Sequence, residues 1–272
     1  MTRSRSTLLL VTASVIALAG FAWPLVGAAL PAQARASLPW LAIAIVLALT
    51  IVAALALDRE LSTARVIALL GVLTALGTAV RVAGAGIGGV ELVFILLILA
   101  GRALGPRFGM LLGLTVIVFS SLFTGGIGPW TPFQMFACGW VAAGAGLLPA
   151  VRSRVGEVAV LAGYGVVAAY LFGLVANLWF WPFAVGFETS ISYRPEAGLG
   201  ENLASFWLYS LATSTLTWDT VRAITTAVGV ALVGRPLLAA LRRARAGGPL
   251  ERLAFPPPTR AGGQVASVGL PR

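Results

Sequence analysis

Long apolar runs recur along the whole chain, separated by short stretches that carry arginine, glycine or proline. Runs of about 20 apolar residues have the length that an α-helix needs to cross a bilayer. A transmembrane β-barrel would show alternating segments of about 10 residues instead. The eight apolar segments lie at about 7–30, 38–57, 64–80, 90–104, 107–123, 133–149, 157–181 and 210–234. The pattern predicts an all-α integral membrane protein.

The composition agrees with this prediction. Of the 272 residues, 59% are hydrophobic and 10% are charged. A soluble domain is about 45–50% apolar and about 25% charged. We therefore expect a multi-pass protein of the cell membrane, in contact with lipid and not with nucleic acid.

The first segment also has features of a signal peptide. Arg3 and Arg5 precede it, and Ala32-Gln33-Ala34 is a possible cleavage site. Its apolar core, residues 7–30, is longer than the roughly 7–15 residues of a usual signal-peptide core. We predict a retained helix with a kink near Pro24.

All 19 basic residues are arginine, and most of them fall in alternate connections between the segments. The arginine-rich side holds Arg3, Arg5, Arg59, Arg65, Arg102, Arg107, Arg152, Arg154, Arg235, Arg242, Arg243 and Arg245. The other connections hold only Arg35, Arg81 and Arg194. Because cytoplasmic loops carry the excess of arginine, both termini are predicted to be cytoplasmic, with the loops at 125–134 and 182–209 outside.

Three regions follow from this pattern. Residues 1–60 are predicted to form two N-terminal transmembrane helices, and residues 61–241 a six-helix transmembrane domain. Residues 242–272 are rich in arginine, proline, glycine and small residues, which is typical of a disordered tail, here a cytoplasmic one.

Missing residue types exclude several kinds of chemistry. The chain has no lysine and no histidine, so it has no phosphate-binding P-loop lysine, no Schiff-base lysine and no histidine metal ligand or general base. Its single cysteine, Cys138, excludes an internal disulfide. We expect no catalytic residues, no cofactor and no bound metal, and therefore no enzyme.

The stretch Gly125-Gly126-Ile127-Gly128-Pro129-Trp130-Thr131-Pro132-Phe133-Gln134-Met135 interrupts the apolar pattern. Glycine and proline are poor helix formers, so a rigid loop is expected here at a membrane face. Polar groups inside a bilayer are costly and often functional, and several converge at this outer level. The candidate substrate-binding residues are Arg81, Glu91, Trp130, Thr131, Gln134, Asn177, Trp181, Asp219 and Arg222. The alternatives are a compensated Asp219–Arg222 pair, which shares a helical face at i, i+3, and tryptophans that only mark the interface.

The third segment carries small residues at spacings of three and four, namely Ala64, Ala68, Gly71, Ala75 and Ala79. Such faces allow two helices to approach closely. The stripe is either an internal packing seam or a docking face for a partner helix, and periodicity alone favours the seam.

Three motifs together resemble the substrate-binding membrane subunits (S components) of energy-coupling factor transporters. Gly101-Arg102-Ala103-Leu104-Gly105-Pro106-Arg107-Phe108-Gly109, followed by Gly113, resembles the glycine-rich connection between the family's second and third helices. Gly128-Pro129-Trp130-Thr131-Pro132-Phe133-Gln134-Met135 resembles the loop that enters its fourth helix in vitamin-type and cobalamin-type members. Asp219-Thr220-Val221-Arg222-Ala223 resembles the start of its last helix.

The resemblance covers about residues 62–240 and implies a six-helix bundle preceded by two extra helices. It implies a vitamin or cobalamin-like cargo bound at the outer face, and partners that comprise a coupling transmembrane subunit and two ATP-binding subunits. In the family, alanine motifs of the first helix dock the coupling subunit, a role that would fall to the stripe from Ala64 to Ala79. Members of the family that carry nickel or cobalt ions use histidine to bind them, and the chain has no histidine. A metal-ion cargo is therefore not expected.

Other functions remain open at this point. An ion-coupled secondary transporter would need ionisable groups at the midplane and internal repeats, and the sequence shows no clear repeat. A structural membrane scaffold ranks next. An intramembrane protease ranks last, because Asp58 and Asp219 are predicted to lie at different depths.

The predicted orientation is tested by labelling single cysteines with an impermeant thiol reagent in a Cys138→Ala background. We expect labelling from outside at Thr124→Cys and Glu196→Cys, because both positions lie in predicted outer loops. Arg152→Cys should stay unlabelled in intact cells. Labelling at position 152 would contradict the orientation.

Overall fold

The computed structural model describes residues 3–27, 30, 32–58, 63–84, 87–185 and 189–246. Within these residues the chain folds entirely as helices and their connections. The helices are α1 (Arg3–Phe21), α2 (Trp23–Gly27), α3 (Ala32–Asp58), α4 (Ala64–Ala83), α5 (Val93–Leu104), α6 (Pro106–Thr124), α7 (Thr131–Leu147), α8 (Arg154–Ala184), α9 (Leu199–Ser210) and α10 (Thr220–Ala246). A π-helical segment, Leu211–Asp219, joins α9 to α10.

Five helices in the described part of the chain are long and apolar enough to cross a bilayer. They lie at Ala36–Ala53, Ala64–Ala83, Pro106–Thr124, Arg154–Ala184 and within Leu199–Ala246. Thr7–Phe21 and Val93–Leu104 are shorter apolar helices. The prediction of a multi-pass α-helical membrane protein is therefore confirmed, whereas the count of eight membrane crossings stays a prediction.

Helix α5 occupies the centre of the bundle. Most of its residues are buried, and several of its side chains, including Phe94, Leu97 and Ile98, are completely covered. It packs against α6 and α7 on one side and against α10 on the other. A helix that is apolar on all faces needs neighbours all round, which accounts for its place.

Small residues bring the backbones of α5, α6 and α7 together. A Cβ atom on Gly113 of α6 would lie only 2.5 Å from the backbone nitrogen of Gly139 in α7. A Cβ atom on Gly101 or Gly109 would collide with the backbone of Ala142. The glycine-rich motif of the sequence therefore has a packing role, since only glycine allows this separation.

The N-terminal helices pack on the rest of the bundle. Helix α1 breaks at Ala22, two residues before Pro24. Helices α1 and α3 contact each other, and together they contact α6, α7 and α8. Trp23 donates from its indole nitrogen to the Trp179 carbonyl oxygen at 3.2 Å, and the Tyr193 hydroxyl donates to the Pro24 carbonyl oxygen at 3.0 Å.

Two regions differ from the sequence-based boundaries. The stretch 182–209, predicted as a loop, contains the end of α8 and all of α9 except its last residue, Ser210. Helix α10 continues through Ala246, so the first residues of the predicted tail are helical. Its final-turn arginines, Arg243 and Arg245, favour this continuation because cations stabilise a helix C-terminus. Residues 247–272 lie outside the described part, as does Arg59.

Candidate functional site

The glycine- and proline-rich stretch forms an ordered loop between α6 and α7. Gly125 ends α6 in the left-handed conformation, with φ of 65°, which glycine adopts at no steric cost. The Trp130 indole N–H donates to the Gly126 carbonyl oxygen at 3.1 Å. The Gly128 amide donates to the Thr131 hydroxyl at 2.9 Å. These bonds fix Trp130 at the start of α7.

An aromatic cavity of about 370 Å³ lies next to this loop. It is built by the end of α1, the first turns of α7 and the second half of α8. Its lining consists of Phe21, Trp130, Phe133, Gln134, Ala137, Phe172, Ala176, Asn177, Trp179 and Phe180. Among these described lining residues none carries a formal charge. Three predicted site residues, Trp130, Gln134 and Asn177, therefore line the same cavity.

The extra N-terminal region contributes to this cavity through Phe21. Its ring is buried and meets the Phe133 ring edge-to-face, with centroids 4.9 Å apart. Phe133 in turn lies against the Trp179 indole at 4.8 Å. The predicted region 1–60 is thus part of the cavity wall and not only an appendage to the six-helix region.

Trp179 carries a buried indole N–H that has no hydrogen-bond partner in the described part of the chain. Its side chain is 4% exposed, and its indole N–H has no hydrogen-bond partner among the described residues. An unsatisfied buried donor costs about 1–3 kcal/mol, and buried tryptophan N–H groups usually find an acceptor. The nitrogen is covered by protein atoms, so a molecule in the cavity would accept from it only after a neighbouring side chain moves.

Two carboxamides add further hydrogen-bonding capacity. Arg81 donates to the Ser120 hydroxyl at 2.9 Å and to Gln134 Oε1 at 3.3 Å. This bond assigns the amide oxygen of Gln134 to Arg81 and leaves its N–H groups as donors. Asn177 donates from Nδ2 to the Ser210 hydroxyl at 3.1 Å, which leaves its carbonyl oxygen as an acceptor.

Behind one wall of the cavity lies a buried ion cluster. Arg222 donates from Nη1 to Asp219 Oδ1 at 2.5 Å and from Nη2 to Glu91 Oε1 at 3.4 Å. Asp219 also accepts a bond from the Ser214 hydroxyl at 3.0 Å. The guanidinium carbon lies 5.0 Å from the centroid of the Phe172 ring. Arg222 therefore does not line the cavity. It lies behind Phe172, which forms part of the cavity wall.

Arg81 and Glu91 also line a smaller pocket of about 240 Å³, together with Trp218. Because Arg81 bonds Gln134 and Glu91 bonds Arg222, this pocket lies between the two polar groups that support the cavity. Neither Arg81 nor Glu91 is among the lining residues of the aromatic cavity itself. Their assignment as substrate-binding residues stays a prediction.

Two further candidates lie elsewhere. Trp181 is completely buried in a cluster with Phe206 and Tyr209, and its indole N–H donates to the Ile191 carbonyl oxygen at 2.7 Å. It therefore ties α8 to the following connection. Thr131 is 8% exposed and bonds the loop at Gly128. Neither residue lines the cavity, and their assignment as substrate-binding residues stays a prediction.

The small-residue stripe faces outward. Ala64, Ala68, Gly71, Ala75 and Ala79 are all exposed, and a Cβ atom on Gly71 would meet no described atom within 4 Å. The buried face of α4 consists of Leu73, Thr74, Gly77 and Thr78. An internal seam, favoured from periodicity, is therefore wrong for this stripe. Gly71, Ala75 and Ala79 instead line an open apolar groove of about 750 Å³ between α4 and α6.

Sequence reasoning missed the aromatic residues that form most of the cavity. Phe21, Phe133, Phe172 and Phe180 carry no polar signal, and Trp179 could not be distinguished from a tryptophan of the interfacial belt. A usable signal was the high density of aromatic residues at 179–183, where Trp179, Phe180, Trp181 and Phe183 occur within five positions.

The packing of α8 against the ion cluster is tested at Gly173, a buried residue of α8 that lies against Asp219. A Cβ atom at Gly173 would collide with the Asp219 carboxylate. Gly173→Ala should therefore displace Asp219 and lower the thermal midpoint of unfolding by several degrees, since overpacking costs about 1–3 kcal/mol. Gly163→Ala on the same helix is the control, because a Cβ atom there meets no described atom within 4 Å. An equal midpoint for both variants would contradict the contact.

Comparison with protein-family models, with curated proteins and with solved structures gives no match for the chain. The resemblance to S components therefore stays a prediction based on three motifs. The long apolar helices of the chain identify it as a multi-pass α-helical membrane protein.

Proposed function

We propose that the chain is the substrate-binding membrane subunit of an importer of the energy-coupling factor type, and that the aromatic cavity holds its cargo. The observation that carries this proposal is the aromatic cavity itself, whose lining brings the Gln134 and Asn177 carboxamides together with Trp179, a residue with a buried indole N–H that is unpaired among the described residues. An unpaired buried donor is costly, and a ligand that reached the Trp179 N–H by displacing a neighbouring side chain would gain this hydrogen bond. Gln134 and Asn177 would complete the recognition.

The lining favours a small, neutral and partly aromatic cargo. With no formal charge among the described lining residues, the cavity suits a neutral compound, because a charged one would need a partner when desolvated. Phenylalanine and tryptophan rings favour an aromatic or apolar body. The volume of about 370 Å³ is near the lower end of ligand pockets, about 300–1,000 Å³. A small vitamin-like compound fits this size, whereas a cobalamin is much larger.

The groove between α4 and α6 is the proposed docking face for the coupling subunit. Its lining is almost entirely apolar, with Gly71, Ala75 and Ala79 on one side and Phe119 and Phe123 on the other. Small residues permit the close approach of a second helix, which gains packing contacts that lipid does not provide. ATP hydrolysis would come from two separate subunits, in keeping with the absence of lysine from the chain.

The buried cluster of Arg222, Asp219 and Glu91 favours an ion-coupled secondary transporter as the second candidate. Ionisable groups in transmembrane segments often form ion or proton pathways. In this structure each charge has a partner of opposite sign, which is typical of a structural cluster. Accumulation of cargo by the chain alone in proteoliposomes, driven by an ion gradient and without ATP, would support this alternative.

The cargo site is tested with Trp179→Phe, which keeps the ring and removes the N–H donor. The measurement is mass analysis of small molecules released from the purified full chain, followed by titration of the released compound. We expect about tenfold weaker binding or more, since a lost hydrogen bond to a buried group costs about 1–3 kcal/mol. Trp207→Phe is the matched control, because Trp207 is exposed and outside the cavity. Unchanged affinity in Trp179→Phe would place the cargo elsewhere.

The docking face is tested with Ala75→Trp, which fills the groove with a large side chain. In membranes that contain the coupling subunit and both ATPases, this variant should keep cargo binding and lose complex formation and uptake. Leu76→Trp is the control, because Leu76 is exposed but outside the groove. Loss of both folding and cargo binding, or equal complex formation in the two variants, would count against the groove.

A further inference from the structure

A pocket rich in arginine lies at the opposite end of the bundle from the aromatic cavity. It has a volume of about 560 Å³ and is lined by Arg102 at the end of α5, by Leu148 after α7, and by Arg242 and Arg245 at the end of α10. The arginine distribution predicts that this end is cytoplasmic. The pocket shares no described lining residue with the aromatic cavity or with the groove.

One part of this pocket is a frame of hydrogen bonds around Arg102 and Glu157. Arg102 donates to Glu157 Oε1 at 2.7 Å, to the Leu148 carbonyl oxygen at 2.6 Å and to the Pro149 carbonyl oxygen at 3.1 Å. Arg242 donates to the same Glu157 oxygen at 2.7 Å. The Arg102 and Glu157 side chains are 11% and 9% exposed. The frame therefore holds α5, α8 and α10 at fixed positions around the pocket.

The other part carries positive charge that no described acidic side chain of the pocket neutralises. Three arginines against one glutamate leave a net charge of +2. Within the described residues Arg242 and Arg245 each donate through one nitrogen, to Glu157 and to the Ala103 carbonyl oxygen respectively. The Arg242 side chain is 47% exposed. A guanidinium group has five N–H donors, so both arginines can bond an oxyanion without losing their present contacts.

We propose that this pocket binds the phosphate group of an anionic phospholipid of the cytoplasmic leaflet. Arginine is well suited to phosphate because its N–H groups form paired bonds to two oxygens. Basic pockets between transmembrane helices on the cytoplasmic side are suited to acidic headgroups. The pocket lies where apolar helices end, and Leu148, Ala103 and Ala246 supply apolar lining beside the arginines. This position favours a lipid over a soluble phosphate compound as the source of the phosphate.

The test uses the purified full chain in detergent micelles and native mass spectrometry. The probes are phosphatidylglycerol and phosphatidylcholine with identical acyl chains. We expect wild type to retain phosphatidylglycerol preferentially, and Arg245→Gln to retain it about fivefold less, since a basic residue contributes about that factor at an anionic membrane surface. Arg245→Lys should restore most of the retention because it keeps the charge. Arg243→Gln is the control, because this substitution removes the same charge at an exposed position outside the pocket lining.

Three results would overturn the proposal. Equal retention of the two lipids would mean that the pocket does not select phosphate charge. An equal loss in Arg245→Gln and Arg243→Gln would reduce the effect to general surface charge. Tighter binding of glycerol 3-phosphate than of phosphatidylglycerol, compared at equal concentrations, would make a soluble phosphate compound the occupant. The proposed cargo site is independent of all three, because its residues lie in other parts of the fold.

Discussion

The positive charge of Arg222, buried among apolar helices, constrains how the helices pack beside the aromatic cavity. A guanidinium group in a low-dielectric interior is costly unless partners of opposite charge surround it. Asp219 provides one partner from the end of the π-helical segment, and Glu91 provides another from the residues before α5. Because these groups come from different parts of the chain, their pairing fixes α10 against α5. Phe172 lies on the guanidinium group and thereby places one wall of the cavity.

The cavity also depends on a region that a six-helix bundle would not contain. Phe21 of α1 packs edge-to-face on Phe133, and Trp23 bonds the backbone at Trp179. Two interactions of different kinds thus hold the N-terminal helices against α7 and α8 beside the cavity. Removal of these helices would expose aromatic surface and open the cavity on one side. The N-terminal helices are therefore better understood as part of the cavity wall than as a separate anchor.

Periodicity and residue type were enough to predict some of this structure. Apolar runs located the long helices, because their length is set by bilayer thickness. Glycine and proline located the loop before α7, and the i, i+3 spacing predicted the Asp219–Arg222 pair. Rotation of the helices about their axes could not be predicted, because an evenly apolar helix such as α8 shows no preferred face. For this reason Trp179 and Trp181, two positions apart, could not be assigned to the cavity and to a separate cluster. The outward direction of the α4 stripe was hidden for the same reason.

The central claim is that the aromatic cavity holds a small neutral compound that accepts a hydrogen bond from Trp179. Its most direct test is an experimental structure of the full chain, purified from its native membrane with its bound molecule retained. The claim predicts density for one compact compound between α7 and α8, with an acceptor atom about 3 Å from the Trp179 indole nitrogen. A compound bound outside the cavity, or one in the cavity that leaves this nitrogen unpaired, would contradict it.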